Sequence, residues 1–576
     1  MSEFNDNHNA RGCPAKRTLV SVLVTASLAA SGGVAALELE TGNPDLAVRW
    51  DNTVRYNYGV RAHDCDKNIC GNGLGAGDYS AHQSDSLFAK KGDVVTNRFD
   101  LFSELDVVYK GDSGIRISGQ AWQDSAYSGK SPAGDAAFLG IGGQAFPNGQ
   151  YTDYVKKWNA GPSGEILDAF AFTKFNIGET PTSVKVGQHN IYWGESLFSF
   201  VSGVAYGQGP VDIRKALANP GVEAKEVFKP LNQISFQSTL NDRMVLAGQY
   251  YLDWKPSTLP DGGTYFGPAD FFSAGGGTQF FDPSTSTTMK FNGTKAPTKK
   301  SGDWGLALKV RPESYDVGTL GFYYREFTDK LPQMVLGGLS GANPIIDLDY
   351  QTPRQKLFGA SIAKQVGSVS VGSDVTYRKG AQLGATPFAN VIGANMAGTD
   401  WRPRGDVWTG LVNAIAYFGK NAVFDSAALQ AELNYSHLIK VTNDPNSVFY
   451  GLAANCGADG VLTNHGCPGR SAWGAAVAFE PKWFAVFPGT DVSMPMFYGK
   501  GLKGNSPVPF GDNEGQGQWS LGVAADVRQK YNIALKYNGF IAKHSNDVAG
   551  MSSNSNSSLG KYWDRDWVSL TLKTTF

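Results

Sequence analysis

Apolar and polar residues alternate one for one over residues 46–60. Leu46, Val48, Trp50, Val54, Tyr56, Tyr58 and Val60 fall on one side, with Arg49, Asp51, Thr53, Arg55 and Asn57 on the other. Successive side chains of a strand point to opposite faces, so a period of two predicts a strand with one apolar and one polar face. The segment 99–110 repeats the pattern, with Phe99, Leu101, Leu105, Val107 and Tyr109 against Arg98, Asp100, Glu104, Asp106 and Lys110. The chain ends the same way. Val568, Leu570, Leu572, Thr574 and Phe576 share one face, and Trp567, Ser569, Thr571, Lys573 and Thr575 the other.

Further strands are predicted near 115–127, 166–177, 183–189, 233–240, 244–254, 303–311, 317–327, 356–366, 369–379, 406–418, 426–440, 471–480, 490–499, 517–528, 531–542 and 565–576. That makes about eighteen, or sixteen if the two weakest, 183–189 and 490–499, are not strands. The connections alternate. Short ones fall near 111–114, 178–182, 241–243, 312–316, 367–368, 419–425, 481–489 and 529–530, and long ones lie between them. Short turns on one side, long loops on the other and an even strand count are the layout of a transmembrane antiparallel β-barrel. A soluble sandwich has no reason to alternate its loops. Lipid cannot satisfy an open sheet edge, so the sheet must close. Charged inward faces then predict a wet lumen, in a barrel wide enough for a channel or a plug. A closing strand that stops on Phe is the usual ending of a bacterial outer-membrane protein. The expected setting is the outer membrane of a Gram-negative bacterium, among its lipid and lipopolysaccharide, with both termini periplasmic.

Composition narrows the alternatives. The chain has 576 residues, 70 of them Gly, with 12% aromatic and 18% charged side chains and no visible linker. A formal net charge of −1 suggests no nucleic-acid partner. Mean hydropathy is −0.26, and no mature segment carries the run of about 18 apolar residues that a spanning helix needs. Residues 1–36 read as an export signal: Arg11, Lys16 and Arg17, an apolar core from Thr18 to Ala30, then Val34-Ala35-Ala36, with the mature chain starting at Leu37. Of five cysteines, Cys13 leaves with the signal. Cys65 with Cys70, and Cys456 with Cys467, form close pairs in long loops, as two disulfides in an oxidising compartment would. A zinc site is the alternative, but neither pair has the usual two-residue spacing and the pairs lie far apart.

One stretch breaks the alternation. From Val186 to Pro230 the chain mixes Gly, aromatics and two expected short helices, Pro210 to Ala218, whose Pro210 and Asp212 are helix-start signals, and Gly221 to Phe228. This 190–232 insert is expected to fold inward as a constriction or plug. Tyr192, Trp193, Phe198, Phe200 and Tyr206 would line an apolar path, and Glu195, Arg214 and Lys215 would fix the insert to charged wall residues. The plainer alternative is that the rings only pack the insert onto the wall. A second loop, 255–302, carries Tyr265, Phe266, Phe271, Phe272, Phe280 and Phe281. It would gather an apolar ligand at the mouth or pack against lipopolysaccharide.

Catalytic constellations are thin. Gly338-Leu339-Ser340-Gly341-Ala342 misses the last Gly of a nucleophile elbow, and no phosphate loop occurs. His189 and His437 sit on predicted strands. No catalytic residue, cofactor or metal is expected, although a hydrolase could assemble its Ser and His across strands without a signature.

Several segments resemble a proteobacterial domain-of-unknown-function family, numbered 1302, of predicted outer-membrane proteins. They are Leu39-Glu40-Thr41-Gly42-Asn43-Pro44-Asp45-Leu46 with Arg49-Trp50-Asp51-Asn52-Thr53, and Asn97-Arg98-Phe99-Asp100-Leu101-Phe102-Ser103-Glu104. To these are added Val186-Gly187-Gln188-His189, Trp193-Gly194-Glu195-Ser196 and Ala205-Tyr206-Gly207-Gln208. The likeness covers nearly the whole mature chain. It implies partnership with an inner-membrane efflux-type exporter and a periplasmic lipoprotein-sorting-like carrier, in the company of genes for degrading steroids, aromatics or alkanes. Passage of a hydrophobic small molecule across the outer membrane is therefore the leading expectation. A porin for polar solutes, an adhesive barrel and an outer-membrane hydrolase are the rivals.

Overall fold

The computed structural model describes residues 37–66, 87–130, 132, 146, 149–268, 270, 278–282, 287–313, 317–340, 343–384, 402–444, 468–542 and 562–576. Eighteen antiparallel strands among them close into a barrel. They are β1 (Leu46–Arg61), β2 (Val94–Tyr109), β3 (Ser113–Asp124), β4 (Ser163–Ile177), β5 (Thr180–His189), β6 (Leu231–Asn241), β7 (Met244–Tyr251), β8 (Trp304–Val310) and β9 (Thr319–Phe327). The ring continues through β10 (Gln355–Val366), β11 (Val369–Gln382), β12 (Arg404–Phe418), β13 (Ser426–Asn443), β14 (Ser471–Phe487), β15 (Thr490–Ser493 and Met496–Lys503), β16 (Gly517–Val527), β17 (Tyr531–Ile541) and β18 (Trp567–Thr575). Each pairs with its successor, and β18 pairs back onto β1 from Thr53↔Thr575 to Arg61↔Trp567. Both weak segments are strands, so the sixteen-strand alternative falls. The second is weak because Pro495, which has no N–H for the ladder, splits β15.

Burial is inverted relative to a soluble protein. On β11, Val375 is 54% exposed while its neighbours Asp374 and Thr376 are buried at 0% and 1%. On β13, Leu433 is exposed between buried Glu432 and Asn434. Exposed Ile117, Phe322, Phe358, Val412, Val477, Leu521 and Leu535 continue the outward apolar band. Tyr109, Phe175, Tyr417, Phe487 and Tyr531 ring its short-turn edge, and Tyr250, Trp408 and Trp473 its long-loop edge. An apolar band between two aromatic girdles is the surface a bilayer requires. No described helix is long and apolar enough to cross a membrane, so the strands do the spanning.

The seam has a supplement that the alternation did not reveal. β18 ends at mid-height on β1, where Phe576 and Asn52 exchange backbone hydrogen bonds of 2.8 and 2.9 Å. Below them, Leu37–Leu39 folds back and pairs with Trp50, Arg49 and Val48. It covers the stretch of β1 edge that β18 is too short to reach. The turns are tight at this end. Arg528 and Gln529 both take positive φ (53° and 54°), and the Lys530 N–H donates to the Val527 carbonyl at 3.1 Å. This is the primed turn whose twist matches paired strands.

Two stretches expected as plain loops contain strands. Thr278–Asp282, Thr287–Lys295, Gln333–Ser340 and Asn343–Asp349 form a separate four-stranded sheet. Its central pairing, Lys290↔Ile345 to Lys295↔Asp349, is parallel.

Candidate functional site

The 190–230 segment leaves β5 at the long-loop end and descends to mid-strand level, touching inward faces on many sides of the ring. Its first half is held through its own backbone. The Glu432 carboxylate on β13 accepts from the N–H groups of Leu197 (2.7 Å), Phe198 (3.3 Å) and Ser199 (2.7 Å). Asp374 on β11 accepts from Glu195 N–H and Val204 N–H, both at 3.0 Å. Asn413 on β12 donates to the Glu195 carbonyl, and Thr409 to the Ser202 carbonyl at 2.7 Å. Arg325 on β9 donates to the carbonyls of Val204 (3.1 Å) and Tyr206. Buried charge-assisted hydrogen bonds of this kind are among the stronger ones. They also need no particular side chain on the insert. Gly194 takes φ +88°, and a Cβ there would stand 2.4 Å from an Asp374 oxygen, so the chain approaches the wall without a side chain.

The second half is held by side chains. Asp212 caps the helix Ile213–Ala218 by accepting from Lys215 N–H at 3.0 Å. Ala224–Val227 starts with a capping box between Glu223 and Glu226. Glu226 then receives both arms of Arg55 on β1, at 2.8 and 2.9 Å. Arg55 also donates to the Gly221 carbonyl at 3.1 Å. Lys573 on β18 pairs with Glu223, and Lys225 reaches Glu104 on β2 at 3.9 Å. A segment tied to β1, β2, β9, β11, β12, β13 and β18 runs across the lumen.

Of the expected anchors, Lys215 pairs with Glu165 on β4. Arg214 turns instead to Asp212 (2.9 Å) within the insert and Asp261 (3.5 Å) in the next long loop. Burial would raise the Asp212 carboxyl, but Arg214, Lys229 and Lys215 together hold it well below the usual carboxylate range. Glu195 meets the wall through its main chain, while burial pushes its own carboxyl up.

The five expected path aromatics do not form one surface. Trp193 is buried and stacks 6.1 Å from Tyr323. Phe200 and Tyr206 share a cluster with Val201, Phe327, Leu331 and Leu357. The Tyr206 hydroxyl donates to Asp329 at 2.8 Å, and the Arg378 guanidinium lies 4.2 Å from its ring centre. Phe198 meets Phe497 at 5.6 Å. Tyr192 is exposed and leans on Phe228 at 4.9 Å. In the second aromatic loop, Tyr265 and Phe266 are buried with Phe88, Tyr127, Tyr151 and Trp567 at the long-loop end. Arg565 donates to the carbonyls of Tyr265 and Gly267 there. The side chains of Phe271, Phe272, Phe280 and Phe281 lie outside the described residues, as do the signal segment and Cys70, Cys456 and Cys467. His189 and His437 hydrogen-bond across strands to Ser235 and Ser471, at 2.8 and 2.7 Å.

Asp512, in the 504–516 connection, sits over Gly474. Burial, and the Glu432 charge after it, push its carboxyl up to about 6. A carboxyl raised above its unfolded value favours the folded state at low pH. That contribution is full below the unfolded value of about 4 and is lost as pH rises through the folded one. Asp512→Asn should therefore melt higher than the parent at pH 8 and approach it only below about pH 4. A difference in melting temperature that stays constant over that range would contradict the assignment.

Fold and lumen together define a transmembrane β-barrel with a segment tethered to its inner wall. The chain belongs to the family described as protein of unknown function (DUF1302), whose model matches residues 17–576. No curated protein matches the sequence. Among solved structures, the chain is similar to OpdK of Pseudomonas aeruginosa with vanillate (TM-score 0.39, 11% identity, 92% of this chain and 98% of that chain covered). It is also similar to a BenF-like porin from Pseudomonas fluorescens (0.40, 10%, 94% and 99%) and to OccAB2 of Acinetobacter baumannii (0.40, 9%, 92% and 98%).

Proposed function

We propose that the protein is an outer-membrane channel that passes hydrophobic or aromatic small molecules, with the 190–232 insert as its gate. The observation that carries this reading is the tether. The lumen is crossed by an aromatic segment held by hydrogen bonds between its main chain and a few polar wall groups and by two small clusters of apolar side chains, not by a continuous core. Such a segment can let go as a unit. An apolar ligand replaces the ring contacts that the insert gives up. Tyr192 and Phe198 meet it first, and Trp193, Phe200 and Tyr206 line the path once the insert has shifted. Glu195, Arg214 and Lys215 restore the closed state. The chain shows no nucleotide motif, so any energy comes from a periplasmic carrier or an inner-membrane exporter. In this reading the termini are periplasmic. Cys65–Cys70 and Cys456–Cys467 are then disulfides in external loops, to be checked by thiol labelling before and after reduction.

A polar porin is the second reading. It draws on a cleft of about 420 Å³ beneath the insert, lined by Glu480, Asp526, Lys530, Lys536 and Lys573 among others. The two separate in a porin-deficient host with intact lipopolysaccharide. Expression should raise uptake of the hydrophobic dye N-phenylnaphthylamine severalfold and leave nitrocefin entry unchanged. The reverse pattern would establish the porin.

A further inference from the structure

Beneath the insert, on the strands that follow those of the polar cleft round the ring, lies a larger cavity of about 790 Å³. It occupies the short-turn half of β1–β5. Its lining divides into two chemistries. Phe170 and Phe172 on β4, with rings 6.3 Å apart, join Ala47 and Val108 as an apolar floor. Four cationic side chains, Arg49, Arg116, Lys174 and Lys185, face two carboxylates, Glu38 and Asp106.

The cations are not equivalent. Arg116 is clamped by Asp106 through two hydrogen bonds of 2.6 and 2.7 Å. Arg49 pairs with Asp51 at 2.8 Å. Among the described residues, Lys174 and Lys185 are in no ion pair, and Lys174 reaches only the Gly111 carbonyl at 3.4 Å. The Lys185 ammonium stands 5.2 Å from the centre of the Phe170 ring. A lysine in no ion pair, set over an aromatic floor with a second such lysine lining the same cavity, is complementary to an anion attached to an apolar body.

We infer that this vestibule is a binding subsite for amphipathic organic anions, an apolar or aromatic body bearing one carboxylate. The body lies on Phe170 and Phe172, and the head group meets Lys185 with Lys174 behind it. The inference rests on the channel reading and narrows its substrate class. It puts the waiting place of the ligand directly below the helix Ala224–Val227, whose Lys225 reaches Glu104 and lies 4.3 Å from the Phe102 ring centre at the roof.

The test uses the full mature protein in nanodiscs of zwitterionic lipid, with 4-phenylbutyrate, 4-phenylbutanol and 4-phenylbutylammonium as probes. Binding should be tightest for the carboxylate and weakest for the ammonium, and it should weaken with salt. Lys185→Gln should lower carboxylate affinity about fivefold and leave the alcohol unaffected, as loss of one partly solvated charge contact predicts. Phe170→Leu should weaken acid and alcohol alike. Lys536→Gln, in the polar cleft, should change neither. Equal affinity for acid and alcohol, no binding of the acid, or an unchanged Lys185→Gln would each overturn the subsite. The dye-uptake assay keeps the two proposals apart. Dye uptake without carboxylate preference removes the subsite and leaves the channel. Carboxylate preference without dye uptake removes the channel and leaves the subsite.

Discussion

Replacing Glu432 by alanine should unlatch the lumen. One carboxylate, 4% exposed, accepts from three successive N–H groups of the insert. Each buried donor left without an acceptor costs about 1–3 kcal/mol, and water entering the gap recovers part of that. A net loss near 3 kcal/mol would raise the population with residues 195–204 released by roughly two orders of magnitude. Asp374 holds the same stretch through two further N–H groups, so Glu432→Ala together with Asp374→Ala should approach full release. Glu432→Gln keeps the shape and one good acceptor, and should fall between parent and alanine. Single-channel recording provides the readout, as brief large openings that are rare in the parent and frequent in the variant. An alanine variant as silent as the parent would mean that the rings, not the carboxylate, hold the segment.

The second large effect concerns Arg55. Its guanidinium is 2% exposed, bidentate to Glu226 and 3.8 Å from Asp100. Arg55→Met leaves the Glu226 carboxylate buried with no cation from β1. Breaking one side of a buried pair costs about 3–5 kcal/mol, whereas replacing both partners by apolar residues is close to neutral. Asp100 keeps Arg98 at 2.8 Å in either case. Amide exchange over 221–228 should therefore accelerate by at least roughly two orders of magnitude in Arg55→Met. It should return most of the way in Arg55→Met with Glu226→Leu. If the double variant exchanged as fast as the single one, the pair would be setting geometry rather than charge balance.

The wall was legible because lipid and lumen impose a period of two on every strand. Val375 next to Asp374, and Leu433 next to Glu432, state the two faces in three or four letters. The β14–β15 region reads poorly because Pro495 interrupts the ladder. The four-stranded sheet in the loops is illegible for another reason. It joins Lys290 to Ile345 across a long stretch of chain and part of it is parallel, so no local period marks it.

The insert was half legible. Pro210 with Asp212 announces the first of its two short helices. Its attachments were harder to see. Asp100 is as inward and as buried as Asp374, yet it serves Arg98 and Arg55 while Asp374 serves the insert. Only the register of the closed barrel decides which charge meets which segment. The strongest attachments use the insert's own N–H groups, which every residue except Pro carries, so residue type does not reveal them. That is why Glu195 reads as a side-chain anchor and is found using its main chain.

The most direct measurement is conductance in a planar bilayer, for the mature protein and for the same chain with residues 196–228 removed. The lumen-crossing insert predicts near silence from the intact barrel and a large steady pore from the deletion. A large steady conductance in the intact protein would contradict it.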